Sequence, residues 1–458
     1  MMDAPESLSD KMLVISGRDE ADLVVAVKAL ASGEHVLIGD KLPIKDFKEP
    51  ENRQAYDAPN WVPIDETIAF SRIMQYPGQL TSRGYAPPPV HMPMSIAPDL
   101  YMVGTGGLDV NLKYRYTKPE GGDQAQLRMR INNYLIDSVN LSHQSSSGER
   151  EMRLPSFNGP LATSPSEALA LAAQNDLSFE VVYRRELSEG SPDNCKSVVL
   201  LPHQMEIDPS STMTLNGLFH YAEMPNLTLF TQSAYPYSVF ADLSRTVAVI
   251  PKEAAADKVT TLLNTTARIA AVTGAVATKL TVVDRPNEDI VDDKDILLIG
   301  EMPITLPDFK KDNAETLQTA IADNLKGEKV MQPEEVLFSP QGGVGAIVSL
   351  QSPFDSDRTV VALLSEGQAG SYLLNEKLKS PSSMATVSGS VAIINGQSIV
   401  DFKVGDSYTI GDLPWYHKIW ETMSNYPLLL VLCALICAVL VGTGIFYFMR
   451  LWVRGRAK

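Results

Sequence analysis

A chain of 458 residues, 44% of them hydrophobic, has enough apolar material for two or three separate cores. Its formal net charge of -16 argues against nucleic acid as a partner, because binding phosphates requires a basic face. Of its three cysteines, Cys433 and Cys437 share one apolar run, and Cys195 stands alone, so neither a disulfide framework nor a cysteine metal set can be built.

The N-terminus, MMDAPESLSDK, lacks the basic start and apolar run of a secretion signal. Met12 to Gly17 has a buried-strand pattern, Glu20 to Ala31 places Leu23, Val24, Val27 and Leu30 on one helix side, and Val36 to Gly39 is a second strand. A polar link then ends in Tyr56-Asp57-Ala58-Pro59-Asn60-Trp61. The same order returns late in the chain. Arg358 to Ser365 is a strand, a helix surrounds Tyr372 to Leu378, Ser390 to Ile394 is a strand, and the link ends in Gly411-Asp412-Leu413-Pro414-Trp415. Residues 1–65 therefore read as the C-terminal part of a first α/β unit, within a longer polypeptide, and 66–84 as a linker.

Over 85–240 apolar and polar residues alternate, as in Leu108, Val110, Leu112, Tyr114 and Tyr116, or Leu127, Met129 and Ile131, or Leu177, Phe179, Val181 and Tyr183. Pro119 to Asp123 and Gly190 to Asn194 are turn clusters, and Ser166 to Ala173 carries a helical signal. The pattern predicts an antiparallel sandwich, a jelly roll or an immunoglobulin-like arrangement.

Over 241–410 continuous apolar strands (247–250, 280–283, 296–299, 346–350, 359–364) alternate with helices at 254–272, closed by Gly274, and 314–325. This predicts a parallel, doubly wound sheet, flavodoxin-like in type. Residues 411–426 form an amphipathic segment. Asp412 is a candidate N-cap, Pro414 suits a first turn, and Trp415, Ile419, Trp420 and Met423 share a face beside Tyr416, a composition suited to a membrane interface.

Pro427 precedes an apolar run from Leu428 to Met449 that contains no charge, which predicts a transmembrane helix over 427–449. Arg450, Arg454, Arg456 and Lys458 follow it, so the positive-inside rule puts the tail, 450–458, in the cytoplasm and the bulk of the chain outside. The expected architecture is multidomain α/β plus β: a jelly-roll-like sandwich and a flavodoxin-like doubly wound domain, then an interfacial helix and one C-terminal transmembrane helix.

Chemistry is sparse. Pro251-Lys252-Glu253-Ala254 follows the first strand of the doubly wound region with no glycine to admit a phosphate, and Gly342-Gly343-Val344-Gly345 precedes a strand, the reverse of a dinucleotide fingerprint. The six histidines include His143 and His220, none with a companion at metal-ligand spacing, and no G-x-S-x-G elbow occurs. No catalytic, cofactor or metal residue is assigned. Glycan chains stack on exposed rings. The four tryptophans, Trp61, Trp415, Trp420 and Trp452, lie outside the sandwich, which leaves Tyr101, Tyr134, Tyr221, Tyr235 and Tyr237 as candidate glycan contacts.

The chain resembles the B subunit of bacterial cellulose synthase. The likeness is carried by Tyr56 to Trp61, Pro98-Asp99-Leu100-Tyr101, Tyr114-Arg115-Tyr116-Thr117, Asp193-Asn194-Cys195, Leu262-Leu263-Asn264-Thr265, Gln351-Ser352-Pro353-Phe354, Gly389-Ser390-Val391-Ala392 and Leu413-Pro414-Trp415, in one order along nearly the whole chain. The resemblance implies a non-catalytic, membrane-anchored periplasmic regulatory subunit of the bacterial inner membrane, built from two jelly-roll and flavodoxin-like pairs. Its partners would be the cellulose synthase catalytic subunit, which polymerises glucose from UDP-glucose, the nascent glucan chain and the membrane.

The implied contact surface is Trp415, Tyr416, Ile419, Trp420 and Met423 with Leu428 to Met449. The family is often called cyclic di-GMP-binding. Arg450 and Arg454 match the R-x-x-x-R spacing of receptors for that dinucleotide, but D-x-S-x-x-G is absent, so the ligand is assigned to the catalytic partner. The alternative is a membrane-tethered periplasmic glycan-binding protein independent of a synthase.

Overall fold

The structure is a computed structural model. It describes residues 2–3, 11–32, 41–44, 47–48, 50–64, 66–120, 123–155, 172–184, 202–302, 343–396, 398–418 and 427–456, of which 2–3, 11, 102–105, 154–155, 427–430, 432–433 and 450–456 are described as backbone. The stretches expected as a strand at 36–39 and helices at 166–173 and 314–325 lie wholly or mainly outside these residues.

The N-terminal stretch pairs β1 (Met2–Asp3) with β2 (Lys11–Met12), and α1 (Glu20–Ala31) follows. Asp19 caps α1 by accepting from the Asp22 amide at 2.8 Å, and Glu20 and Asp22 in the first turn suit the helix dipole. The strand expected through Gly17 stops at Met12, and Leu13, Val14 and Ile15 are exposed, as are Leu23, Val24 and Val27 of α1. A strand needs a neighbour and a cover, and among the described residues this stretch has neither beyond β1.

Residues 50–64 form a strap across two domains. The Tyr56 amide donates to Val239 O (2.8 Å) and the Arg53 amide to Asp242 Oδ2 (2.9 Å) on one side. On the other, the Val62 amide donates to Ser95 O (2.8 Å), and Trp61 is buried with Ala58, Ala97 and Ala241.

A β-sandwich follows, made of β3 (Thr67–Ala69), β4 (Thr81–Gly84), β5 (Val90–Ser95), β6 (Leu100–Tyr116), β7 (Gln124–Ile131), β8 (Tyr134–Asn140), β9 (Ser147–Pro155), β10 (Gln174–Arg184), β11 (His203–Ile207) and β12 (Thr212–Met224). One sheet has the order β5-β10-β7-β8. The other contains β12-β6-β11-β4, with β3 on β12 and β9 on β6. The alternating residues of β6, β7 and β10 point into one core, Tyr114 and Tyr116 included.

The expected linker at 66–84 is instead part of this sandwich, because Ile68, Phe70, Ile73 and Leu80 are buried in its core. These apolar residues are spread between turns and show no regular period, which hid them in the sequence.

The second domain begins at α2 (Leu227–Ser233), ahead of the expected boundary at 241, because Leu227, Phe230 and Tyr237 pack in its core. It continues with β13 (Thr246–Val249), α3 (Ala256–Thr273), β14 (Thr281–Val283), α4 (Glu288–Val291), β15 (Asp295–Glu301), β16 (Val344–Gln351), β17 (Thr359–Ser365), α5 (Gly367–Lys379), α6 (Pro381–Met384), β18 (Val391–Asn395), β19 (Ser398–Phe402) and β20 (Tyr408–Gly411). The sheet order is β14-β13-β15-β17-β16-β18-β19.

The first four strands of that order are mutually parallel, but β16 is antiparallel to both β17 and β18, so the sheet is mixed and not wholly parallel. The link Ser352 to Arg358 is too short for a crossover and forces a hairpin. Every residue of β17 is buried. Each of its Val and Leu side chains contributes about 1.5–3 kcal/mol relative to exposure. Gly274, left-handed at φ 71°, closes α3 as the sequence predicts.

β20 leaves this domain and pairs with β12, extending the sandwich sheet. The chain then reaches α7 (Pro427–Arg456), a helix of 30 residues. Among the residues whose side chains are described no helix is long and apolar enough to cross a membrane, and α7 contributes only 431 and 434–449 to these. The uncharged run from Leu428 to Met449 lies inside α7.

Candidate functional site

The segment joining the globular domains to α7 is held by the end of β12. In the ladder Tyr221 faces Gly411, Ala222 faces Ile410, Glu223 faces Thr409 and Met224 faces Tyr408. Gly411 has φ 94°, and a Cβ there would sit 2.1 Å from the carbonyl oxygen of His220, so only glycine allows this approach. Lys403 donates to Glu223 at 2.8 Å and, as the largest influence, holds its carboxyl below the usual range.

Leu413 is buried, and Pro414 precedes a helical turn in which its carbonyl accepts from the His417 (2.8 Å) and Lys418 (3.1 Å) amides. The helix thus starts after Pro414, and Asp412 is not its cap. His417 packs on Phe219 of β12, with ring centroids 5.5 Å apart, and this turns Trp415 and Tyr416 outward. They are 74% and 53% exposed and meet edge to face at 5.9 Å. A tryptophan and a tyrosine so exposed beside a buried leucine form an apolar surface with polar tips.

Ile419, Trp420, Met423 and Lys458 lie outside the described residues. Leu428, Arg450, Arg454 and Arg456 are within α7. Met449, exposed, lines a shallow apolar groove on α7 with Gly444, Ile445 and Phe448.

The candidate glycan tyrosines do not assemble. Tyr235 and Tyr237 are each 1% exposed and belong to the second domain, not the sandwich. The Tyr237 hydroxyl donates to Ile296 O (2.7 Å) and accepts from the Val361 amide (3.1 Å), while burial pushes its ionisation far above the ordinary range. Tyr221 is buried, with its ring edge-on to Tyr101 at 5.6 Å. Only Tyr134, at the tip of the β7–β8 hairpin, is exposed as a stacking ring would have to be. The sequence did not single out Tyr76 and Tyr85, which are exposed on either side of edge strand β4. Both sit in proline and glycine turns, and no periodicity marks such positions.

Two polar clusters arise that spacing could not show. At the carboxyl ends of β15 and β17, the buried Lys258 of α3 donates to Ser371 (3.0 Å) and to Ser365, whose hydroxyls are 2.7 Å apart, with Asp257 at 3.6 Å and Glu301 at 3.9 Å. In an open α/β sheet this is the crevice where ligands usually bind. Here the chain's own ammonium fills it.

At the strap, the Tyr56 hydroxyl donates to Asp99 Oδ2 (2.5 Å), and its ring stacks on His220 at 3.5 Å. His220 Nδ1 lies 3.1 Å from the other Asp99 oxygen. Burial, with the Asp99 charge next, raises the Tyr56 phenol well above its usual range, which keeps it a donor. Tyr, Asp and His meet here inside a domain junction, an arrangement that fastens three segments.

Two family models match the chain. One, described as the second CBM domain of cellulose synthase BcsB, covers residues 67–212, and the other, the second FD domain of cellulose synthase BcsB, covers 220–363. The first begins where β3 begins. A "Cyclic di-GMP-binding protein" of Salmonella typhi is 33% identical over 471 residues, covering 100% of this chain and 62% of that protein. One of Escherichia coli strain K12 is 32% identical over 472 residues, covering 100% and 60%. A "Cellulose synthase 2" of Novacetimonas hansenii is 26% identical over 484 residues, covering 96% of this chain and 29% of that protein.

The chain spans about 60% of the length of the curated cyclic di-GMP-binding relatives it matches. The two family models between them take in more than half of it, in the order of its own two described domains. The chain belongs to the BcsB family of cellulose synthase subunits.

Proposed function

We propose that this chain is a non-catalytic accessory subunit of bacterial cellulose synthase, bracing the catalytic subunit in the inner membrane and supporting cyclic di-GMP-activated synthesis and export of the glucan. The sandwich is of jelly-roll type and the second domain of flavodoxin type. α7 spans the membrane once, the domains lie in the periplasm, and Arg450, Arg454, Arg456 and Lys458 keep the tail cytoplasmic. The dinucleotide binds the catalytic partner, and this chain serves the response to it.

The observation that carries this reading is the outward pair Trp415–Tyr416, fixed on β12 through Gly411 and His417 and preceding the apolar helix α7 in the chain. Such a pair suits the headgroup layer and the flank of a membrane partner. The names of relatives, a cyclic di-GMP-binding protein and a cellulose synthase, support a place in dinucleotide-activated cellulose synthesis.

The test is co-purification. With Trp415→Ala and Trp420→Ala together, the catalytic subunit should no longer be retained on the tagged chain, while circular dichroism and protease resistance of the periplasmic domains stay unchanged. Retention at the level of the unsubstituted chain would remove the aromatic turn as a partner surface.

A further inference from the structure

The junction between the two domains and β20 buries two carboxylates, Asp99 and Asp295, which are 3% and 5% exposed. Tyr235, itself fully buried, feels the charge of both, so they belong to one band running from the strap to β20. Asp99 is matched by Tyr56 and His220.

Asp295, the first residue of β15, is matched less well. It accepts from the Thr359 amide at 2.8 Å, and the Arg358 guanidinium lies 3.7 Å away. That arginine is already committed to Asp293, which also holds Arg245, and Asp355 adds another negative charge nearby. Asp295 also lies within electrostatic reach of four phenols, Tyr237 of the turn after α2, Tyr408 of β20, Tyr235 and Tyr56 of the strap. Tyr408 is bound through Thr359, whose hydroxyl lies 2.8 Å from the Tyr408 hydroxyl. The residue that carries the Asp295 contact therefore also seats the strand leading towards α7.

We propose that Asp295 is a proton-operated latch: protonated, it lets Tyr408 stay seated on Thr359 while β20 pairs with β12, and ionised, it loosens that contact and, with it, the β20–β12 pairing. A neutral acid leaves the Thr359 amide with an acceptor and carries no charge to desolvate. An ionised one is a buried charge with a shared partner, and the cheapest relief is water entry beside Tyr408. Burial pushes the carboxyl up to about 6, against the pull of the Thr359 amide and Arg358.

The closed state binds the proton more tightly than an opened state with an ordinary carboxyl near 3.9, so opening becomes easier as pH rises from about 4 to about 6 and levels off above.

The test is amide hydrogen exchange on the full chain in lipid nanodiscs between pH 4 and 7, corrected for intrinsic exchange. Protection of residues 408–411 should fall by roughly tenfold per pH unit up to about 6, or about a hundredfold in all. Asp295→Asn, which keeps an acceptor for the Thr359 amide, should abolish that slope. A flat profile in the unsubstituted chain, or the same slope in Asp295→Asn, would overturn the proposal.

Infrared titration of the unsubstituted chain settles the matter should the variant not fold. A protonated carboxyl band lost with a midpoint near 6 is expected. Carboxyls that all titrate in the ordinary range near 4 would overturn the latch as well.

Discussion

Gly411 is the residue on which the exit of the chain from its globular part depends. Its φ of 94° and the 2.1 Å approach of the His220 carbonyl leave no room for a side chain. Gly411→Ala should weaken the β20–β12 pairing by about 1–3 kcal/mol, read as faster amide exchange at 408–411 with the core of β17 unaffected. Tyr237 is the counterpart inside the second domain. Tyr237→Phe leaves Ile296 O and the Val361 amide without their partner and should cost about 1–3 kcal/mol in urea unfolding. The sequence offered Tyr237 as a glycan contact because it lies outside the alternating runs and reads as a loop or strand-end residue. Its burial depends on α2 folding back on the sheet, a tertiary fact that no local pattern holds. Tyr114 and Tyr116, which alternate with polar residues, were legible as core for the opposite reason.

At the scale of elements, the clearest signals were the ones with their own punctuation. α3 runs to Thr273 and stops at Gly274 because left-handed glycine closes a helix, and α1 lies where Asp19 caps it. Direction within the sheet was less legible. β16 has the same apolar texture as its parallel neighbours, and only the short link to β17 shows that it must run the other way.

The packing of α3 on α5 also carries a prediction. Lys258 is an ammonium buried among two serines and two carboxylates, and a buried charge of this kind adds little net stability. Lys258→Met, similar in length and apolar, should leave unfolding within about 1 kcal/mol of the unsubstituted chain, because Ser365 and Ser371 still bond each other. Lys258→Ala, which leaves a cavity, should cost about 2 kcal/mol or more. Equal losses from the two variants would mean that the charge itself holds α3 in place.

On the scale of the whole molecule, the strap, the sandwich and the second domain converge on the last residues of β12. Tyr56 stacks on His220, Phe219 holds His417, and Tyr221 pairs with Gly411. Three consecutive residues thus connect the N-terminal segment, the domain junction and the segment leading to α7. The order of domains was legible in the sequence because alternation and continuous apolar strands differ in texture. The convergence was not, because it joins residues far apart in the chain, such as Tyr56 and His220, that no motif links.

This geometry suits the proposed accessory role, in which the globular part positions the aromatic turn ahead of α7. Whether the aromatic turn and α7 brace the synthase is read from polymer formation from UDP-glucose in lipid vesicles holding the catalytic subunit, with the full chain, with residues 411–458 alone, or with neither, each with and without cyclic di-GMP. Dinucleotide-dependent synthesis is expected with the full chain, weaker synthesis with 411–458, whose aromatic turn β12 no longer holds, and little without either. Equal synthesis in all three would rule the bracing role out.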